Sequence, residues 1–183
     1  MAMDGLRYVS GEYVTQSDLA TAGGLVLITT QSFSAVQNMS VNNCFSADYD
    51  NYRIMISAGS AGIGDLTCRL RASGADSTAS RYYVRFSSVP FNAGTIGTDG
   101  NTDSATSWYL GRTTSAANQT WTLDMANPFA TLAASIHVLG LDAKSYSTAG
   151  GGIFDSTTSC DGFSVLCSSN MTGTLSVYGY RNS

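Results

Sequence analysis

An alternation of apolar and polar residues, with a period of two, runs through most of this chain. In the segment Tyr52–Ser57, the side chains of Tyr52, Ile54 and Ile56 alternate with those of the intervening residues. Successive side chains of a β-strand point to opposite faces, so this pattern predicts a strand with one buried face. The same alternation recurs at Leu66–Arg71, Tyr82–Phe86, Thr120–Met125 and Phe163–Ser168.

Turn residues separate these segments and mark the ends of the predicted strands. Glycine, serine, asparagine and aspartate cluster at residues 60–65, 73–77, 99–101 and 150–152. Further apolar segments predict strands at Leu25–Gln31, Ala35–Val41, Ser107–Gly111, Leu132–Leu139 and Thr174–Tyr180. About ten short strands without helical patterns between them predict an all-β fold, an antiparallel β-sandwich or a jelly roll. The longest segment without a pattern is Pro90–Ala105, which we expect at one end of the sandwich.

Residues 1–24 do not share this alternation and are predicted to form an anchoring arm in front of a β-sandwich head domain at residues 25–183. Thr15 and Asp18 fit a helix N-cap pair, so one or two helical turns are expected at residues 16–22. A helix this short is marginal in water, so the arm needs a surface to dock on. Its candidate partner-binding residues are Leu6, Tyr8, Val9, Tyr13 and Val14.

The charge content is low, and it argues against several classes of partner. Only 12% of the residues are charged, the formal net charge is -4, and the isoelectric point is about 4.6. A nucleic-acid-binding face needs clustered Lys and Arg, whereas the densest group of arginines follows strand alternation. That group is Arg69, Arg71, Arg81 and Arg85. No segment reads as a membrane span or a signal peptide, so we expect synthesis in the cytoplasm and no membrane contact.

The four cysteines are predicted to be reduced core residues. A protein made in the cytoplasm keeps its thiols reduced, and free cysteine packs as a small apolar side chain. The chain has no C-x-x-C motif and no pair of histidines, so the spacing does not indicate a zinc site. These residues are Cys44, Cys68, Cys160 and Cys167.

No constellation of residues indicates catalysis, and we expect the protein not to be an enzyme. The only histidine, His137, shares a predicted strand face with Ala133 and Ser135, so it should face solvent or a subunit contact. Glycoside hydrolysis needs two carboxylates. The best pair, Asp48 and Asp50, lies in a segment typical of a turn. We therefore predict no catalytic residue, no cofactor and no metal.

Two features leave alternatives open. Asp99–Asp103 places oxygen atoms at alternate positions, as a calcium loop does, but Ser104 and Leu110 stand where such a loop needs glycine and glutamate. Adjacent aromatic residues fit the core of a sandwich, a subunit interface or a sugar-stacking shelf. These aromatic groups are Tyr82–Tyr83, Trp108–Tyr109 and Tyr178–Tyr180.

Three sequence phrases resemble a known family. Gly24–Ile28 reads GLVLI, Phe45–Ile54 contains YDNYRI, and Gly173–Asn182 contains VYGYRN. In these phrases the chain is similar to structural proteins of tailed bacteriophages, in particular those of phages of cyanobacteria and other aquatic bacteria. The resemblance covers residues 24–183, whereas the arm resembles no family in this way.

The resemblance implies a β-sandwich module on the exterior of a virion, in a fibre or on the capsid surface, and a homotrimer. Because the chain has room for an arm and one head, we expect a capsid decoration or head-fibre protein. It would dock on other virion proteins, either the major capsid protein or a tail component, through residues 1–24. The alternatives are the receptor-binding tip of a short tail fibre that recognises host surface glycan, through Pro90–Ala105 or exposed aromatic residues, and a capsule-degrading hydrolase.

Overall fold

The computed structural model describes residues 7–9, 12–14, 24–91, 95–99, 105–115, 119–141 and 146–181. Every regular element in these ranges is a β-strand, which confirms the predicted all-β class. Because these ranges hold no helix, they hold none that could cross a lipid bilayer.

The described ranges contain thirteen strands, numbered here in chain order. They are β1 (Arg7–Val9), β2 (Glu12–Val14), β3 (Leu25–Val41), β4 (Asn51–Ser60), β5 (Gly64–Ala72), β6 (Ala75–Asp76), β7 (Tyr82–Pro90), β8 (Gly97–Asp99), β9 (Trp108–Thr113), β10 (Gln119–Ala126), β11 (Ala134–Leu141), β12 (Tyr146–Phe154) and β13 (Gly162–Tyr180).

The two longest strands, β3 and β13, pair with each other along most of their length and join two layers of sheet. On its other side, β13 pairs first with β5, through Gly162–Cys167, and then with β4, through Met171–Gly179. Since β4 and β5 diverge from one another, an eleven-stranded sheet divides into two layers. The order is β6–β5–β13–β4–β10–β11–β12–β7–β8, with β3 on β13 and β9 on β5. The long layer is the part from β4 to β8, and the short layer contains β5, β6 and β9.

The sheet curls so that the short layer closes over the long layer. Two aromatic pairs connect β9 with β7 across the interior. The ring centroids of Tyr82 and Trp108 are 5.2 Å apart in an edge-on contact, and those of Phe86 and Tyr109 are 5.5 Å apart in a stacked contact. The core therefore lies between the two layers, as the sandwich prediction required.

The alternating residues that the sequence placed on the inner face are buried. Apolar burial of this extent is the main force that holds two sheet faces together. The inward-facing residues with essentially no solvent exposure include Tyr52, Ile54, Leu66, Cys68, Leu70, Tyr82, Leu123, Met125, Phe163 and Val165. Their burial confirms the period-two interpretation of β4, β5, β7, β10 and β13.

One strand leaves a long edge open. Among the strands of the described ranges, β3 pairs with β13 alone. Leu25–Val41 contains no charged residue and no proline, which are the residues that most often protect an exposed edge. Ala35 has a positive φ of 52°, and the pairing with β13 shifts register in this region, so a bulge interrupts the edge once near its middle.

Three boundaries differ from the sequence prediction. The predicted strands Leu25–Gln31 and Ala35–Val41 are one strand, because β13 continues past the bulge and pairs with both parts. The glycines at residues 150–152 lie inside β12 rather than in a turn. A Cβ on Gly150 would lie 2.1 Å from the Phe86 Cβ, so the neighbouring strand leaves space only for glycine. Pro90–Ala105 contains the short strand β8, which pairs with β7.

Ser164 was predicted on a solvent-facing side, but it is buried. Its hydroxyl lies 2.8 Å from that of Ser40 and donates to Asp76 Oδ1 at 2.7 Å. Arg71 donates to the same hydroxyl at 2.9 Å and forms an ion pair with Asp76. The hydrogen bonds to Ser40, Asp76 and Arg71 offset the free-energy cost of burying this hydroxyl. Period-two alternation does not reveal these partners, because they lie on other strands.

The arm includes a separate hairpin. Strands β1 and β2 form a two-stranded antiparallel sheet in which Tyr8 is paired with Tyr13. Leu6 and the helical turns expected at residues 16–22 lie outside the described residues. The division of the chain at residue 24 and the anchoring role of the arm stay predictions.

Candidate functional site

A row of side chains crosses the outer face of the long layer, on the side away from the core. The register places Arg53 opposite Asp124, Asp124 opposite His137, and His137 opposite Gly151. Beyond these, Tyr178 pairs with Arg53 at one end and Arg85 with Gly151 at the other. We call this set the cross-strand row: Tyr178, Arg53, Asp124, His137, Gly151 and Arg85.

The centre of the row is a fixed ion pair. Arg53 donates from Nε to Asp124 Oδ1 at 2.8 Å and from Nη2 to Asp124 Oδ2 at 2.7 Å. Tyr180 donates its hydroxyl to Asp124 Oδ1 at 2.8 Å, and the Arg53 guanidinium carbon lies 5.6 Å from the centre of the Tyr180 ring. Two parallel bonds and a cation–π contact hold the guanidinium in one orientation, which makes this a rigid polar surface.

The electrostatics keep this pair ionised. The hydrogen bonds from Arg53 lower the pKa of Asp124, and the same interaction raises the pKa of Arg53. Burial, together with the bond to Asp124, raises the pKa of Tyr180. A carboxylate held in this way stays charged near neutral pH and does not have the raised pKa that a general acid needs. The arrangement suits binding by fixed hydrogen-bond donors and acceptors.

His137 faces outward, as the sequence predicted. It is exposed beside Asp124, while Ile136 and Val138 on either side of it are buried. Within the described residues, no hydroxyl hydrogen-bonds to its ring, so the pairing that a serine nucleophile requires is not assembled around it. His137 instead contributes a polar, solvent-accessible ring to the cross-strand row.

Apolar side chains surround the row on the same face. We call them the apolar outer patch: Leu25, Leu27, Met55, Leu139, Leu141 and Ile153. In the register, Met55 and Leu139 both pair with Thr122 of the strand between them, and Leu27 pairs with Tyr178. Leu27 is 56% exposed and Leu139 is 60% exposed. Exposed apolar side chains collected on one face are typical of a contact surface.

The acidic residues considered for catalysis or calcium binding are not brought into a common site. Asp48 lies in a turn, where its Oδ2 accepts a hydrogen bond from the Ser46 hydroxyl at 3.0 Å. The carbonyl of Asp50 accepts from the Asn127 amide at 2.7 Å. These bonds confirm the turn interpretation of this segment. Asp99 belongs to β8, and the rest of the possible calcium loop lies outside the described residues.

All four cysteines are buried free thiols, as predicted. Burial raises the pKa of the Cys44 thiol to about 12 and that of Cys160 to about 11. Thiols with a raised pKa are poor nucleophiles and poor metal ligands. In the described ranges no three His, Cys, Asp or Glu side chains lie together in a way that could hold a metal ion.

The aromatic residues divide between two environments. Tyr82 and Trp108 are buried in the core, where the Trp108 indole donates to the Ile153 carbonyl at 3.1 Å. Tyr178 and Tyr180 lie half-buried on the outer face, beside the cross-strand row. Aromatic residues therefore occupy both core and surface positions, and the alternation along each strand separates the two groups. The candidate residues of the arm lie in or next to the hairpin β1–β2. This hairpin forms a two-stranded sheet of its own, whereas the cross-strand row belongs to the eleven-stranded sheet.

Sequence reasoning missed Arg53, Asp124 and Arg85 as members of one site. The available signal was their place in the alternation. Arg53 of YDNYRI lies between the apolar residues Tyr52 and Ile54, and Asp124 lies between Leu123 and Met125, so both were expected to point outward. Outward charges are rare in a chain with 12% charged residues. Their pairing depends on the register of β4 with β10, which no local pattern specifies.

No protein family and no curated protein sequence matches the chain. Among solved structures, it is similar to the CBM2 module of the evolved Dit of Lactobacillus casei BL23 phage J-1, with a TM-score of 0.36 and 8% identity. That similarity covers 80% of this chain and 69% of that module. A fructofuranosidase variant from Schwanniomyces occidentalis, complexed with fructosylnystose, has a TM-score of 0.24 and 6% identity over 86% of this chain and 34% of that chain. Similarities at these TM-scores carry no conclusion about function, so membership of the phage family stays a prediction.

Proposed function

We propose that this chain is a structural protein on the exterior of a phage particle, made in the cytoplasm of the host bacterium. Its role would be that of a trimeric capsid decoration or head-fibre protein, docked on other virion proteins through residues 1–24. The sequence phrases that resemble tailed-phage structural proteins suggest this class. The low charge content suits a rigid part of the particle's exterior.

The apolar outer patch is the observation that carries the proposal. A soluble monomer gains nothing from several leucine and isoleucine side chains exposed on one sheet face, and such faces usually mark contacts with other proteins. The patch surrounds a rigid polar row, so a partner could bury the apolar area while Arg53 and Asp124 fix its orientation. This combination resembles a subunit interface more than a solvated face.

The open edge of β3 supports self-association. An edge strand without charge or proline readily pairs with another chain, and native proteins cover such edges. In a symmetric oligomer, each copy can cover the edge of the next one. We therefore favour a homotrimer, the state that the family resemblance implies, with β3 and the outer face at or near the contacts between subunits.

The arm provides the simplest anchor. Its hairpin, β1–β2, is not hydrogen-bonded into the eleven-stranded sheet of the described residues. An apolar hairpin with Tyr8 and Tyr13 paired is marginal alone and gains stability by packing on a partner. Leu6, Tyr8, Val9, Tyr13 and Val14 are therefore proposed as the residues that attach the head to the particle.

Removal of residues 1–15 tests this role. The truncated protein should remain folded and trimeric in sedimentation but should no longer attach to purified particles. Gel densitometry of intact virions should show this chain at a stoichiometry comparable with the major shell protein. If the truncated protein still attaches, or if the chain occurs in a handful of copies per particle, the decoration role is wrong.

The second candidate function is the receptor-binding tip of a short tail fibre. The cross-strand row favours it, because planar polar side chains beside exposed tyrosines suit the hydroxyl groups and flat faces of a glycan. Phages that lack the protein would then keep intact particles and lose adsorption to host cells. A decoration protein predicts the reverse, weaker particles with normal adsorption. Release of reducing ends from host capsule by the pure protein would instead indicate a hydrolase.

A further inference from the structure

A cavity lies inside the curl of the sheet, between β7, β9, β10 and β12. Its volume is about 150 Å³. Trp121 in its wall is buried, whereas Arg112 and Tyr146 are exposed, so the cavity opens to solvent beside these two residues. A space of this size admits one six-membered ring. It faces the interior and is separate from the cross-strand row on the outer face.

The walls of the cavity are largely aromatic. The rings of Phe86 and Tyr109 stack on each other, with an angle of 22° between their planes, and both residues line the cavity. Trp121 and Tyr146 contribute two further aromatic side chains. Aromatic side chains make favourable contact with the C–H faces of a ring.

A hydrogen-bond donor in the wall has no protein partner. The Trp121 side chain is 2% exposed, and its Nε1 makes no hydrogen bond to the described residues. A Cβ placed on Gly111, another residue of the wall, would lie 3.7 Å from this atom. Solvent in the cavity reaches this atom, because Asp161 Oδ1 is the only fully buried polar side-chain atom of the described residues without a partner. A ligand that displaces water from this N–H must offer an acceptor in its place, since a buried N–H left unpaired costs free energy.

An acceptor lies close to that donor. The Thr148 hydroxyl donates to the Gly140 carbonyl at 3.3 Å and keeps its oxygen lone pairs for another group. A Cβ on Gly140 would lie 2.5 Å from the Thr148 Oγ1 and 2.9 Å from the Trp121 Nε1, so these two polar atoms are neighbours. A ligand hydroxyl, which both donates and accepts, matches this pair.

Gly111 keeps the space open. It has a positive φ of 131° at a bulge, where Leu110 has no partner in β5. A residue with a side chain would be strained at this φ. A Cβ there would also lie 3.8 Å from the Thr148 Oγ1, in contact with the polar pair. The bulge therefore gives the cavity a wall of bare backbone beside its donor and acceptor.

We infer that this cavity binds a single pyranose ring, the terminal sugar of a glycan or a free monosaccharide. The aromatic walls contact the faces of the ring, one hydroxyl bridges Trp121 Nε1 and Thr148 Oγ1, and the remaining hydroxyls reach Ser88 and Arg112 at the mouth. An apolar ring would leave the Trp121 N–H unpaired. A phosphate would find only Arg112, which is already paired with Asp65 at 3.5 Å.

This site goes beyond the proposed structural role and does not depend on where the protein attaches. Sugar binding in the cavity is compatible with either a decoration protein or a fibre tip. Failure of sugar binding would leave attachment through the arm untouched, and failure of attachment would leave the cavity untouched. The two proposals are therefore tested by separate measurements.

The test is a titration of the full-length, ¹⁵N-labelled protein, followed through its indole N–H signals. The sequence has two tryptophans, and Trp108 serves as an internal control because its N–H is bonded to Ile153. D-Glucose, D-galactose, D-mannose, L-rhamnose and N-acetyl-D-glucosamine are each added to about 100 mM. At least one should move the Trp121 signal saturably, with a dissociation constant on the order of 1 mM for so small a ligand, and leave the Trp108 signal in place.

Two variants locate the binding, and one controls for it. Tyr146→Ala removes an exposed ring at the mouth, and Thr148→Val removes the acceptor with little change of shape. Each should weaken sugar binding about tenfold or more. Tyr83→Ala removes an exposed tyrosine from the outer face and should leave binding unchanged. Because Tyr146 is exposed, its variant should fold even if Thr148→Val does not.

Three results would overturn the inference. The first is that no sugar moves the Trp121 signal over the whole titration. The second is that the signal moves equally in the wild-type protein and in Tyr146→Ala. The third is that benzene, an apolar ring without a hydroxyl group, binds in the cavity while every sugar fails.

Discussion

Arg53 and Asp124 stand directly opposite each other on β4 and β10 and are joined by two parallel hydrogen bonds of 2.8 and 2.7 Å. The residues are far apart in the sequence, yet they form the best-defined polar contact on the outer face of the protein. Their side chains are 35% and 37% exposed, so solvent reduces the strength of the attraction.

The first prediction concerns Asp124→Asn. At pH 7 the free energy of unfolding should fall by about 0.5–1 kcal/mol, the range of well-formed pairs that remain partly exposed. The folded-state pKa of Asp124 is lowered, so its contribution is present above the unfolded pKa of about 3.9. It is lost as the pH falls through the folded value. Urea unfolding at pH 7 and pH 3 should therefore show a smaller difference from wild type at pH 3.

Asp65→Asn is the matched control for this substitution. Asp65 pairs with Arg112 at 3.5 Å, and both side chains are more than half exposed. Stability should change little at either pH. An effect as large as that of Asp124→Asn would show that general surface charge, rather than the paired geometry, determines the result.

The second prediction concerns Tyr82→Phe. The buried Tyr82 hydroxyl accepts from the Leu70 amide at 3.0 Å and donates to the Ser77 carbonyl at 3.0 Å. Its removal leaves a buried N–H without a partner, so the unfolding free energy should fall by about 1–3 kcal/mol. Chemical denaturation measures this, with Tyr178→Phe on the outer face as a control expected within about 0.5 kcal/mol of wild type. Equal losses in both variants would contradict the structural role of Tyr82.

The third prediction concerns Gly150→Ala. The new Cβ would lie 2.1 Å from the Phe86 Cβ and 2.3 Å from the Arg85 carbonyl, so β12 and β7 could not stay paired without moving apart. We expect a loss of about 3 kcal/mol or more, or insoluble protein. Gly62→Ala, whose nearest neighbour would be the Ser169 hydroxyl at 3.4 Å, should fold normally. Thermal unfolding that gives equal midpoints for both variants would show that the glycine-rich strand tolerates side chains.

The fourth prediction concerns Leu139→Lys in the apolar outer patch. Leu139 is exposed, so the stability of the isolated chain should stay within about 0.5 kcal/mol of wild type. Sedimentation of the variant should nevertheless show weaker self-association, because a buried lysine without a partner opposes contact. Ile63→Lys, an exposed apolar residue in the turn between β4 and β5, should associate like wild type. If Leu139→Lys associates normally, the outer face is not a subunit contact.

Much of the fold could be predicted from local pattern. The alternation in Tyr52–Ser57 and Thr120–Met125 identified both strands and their buried faces, because parity along a strand is a local property. The glycines at residues 150–152 were misjudged for the opposite reason. The roles of Gly150 and Gly152 depend on Phe86 and Trp108 of other strands, which crowd the inner face of β12.

The candidate sites were less predictable. The outward position of His137 followed from parity alone, but its neighbour Asp124 is set by the register of β10 with β11. The cavity requires Phe86, Tyr109 and Trp121 to converge from three strands around a bulge at Gly111. No window of sequence contains that geometry: alternation predicted the buried faces of Phe86 and Trp121, left the environment of Tyr109 open, and did not indicate what these side chains would meet.

The sequence by itself determined which residues form strands and which side of each strand is apolar, because these depend on neighbours one and two positions away. The tertiary structure alone decided which strands lie side by side. Pairings between β13 and β5, or between β4 and β10, join distant segments, and a shift of one residue would exchange the faces of a strand. The ion pair of Arg53 with Asp124 and the space beside Trp121 exist only in the register that the closed, curled sheet selects.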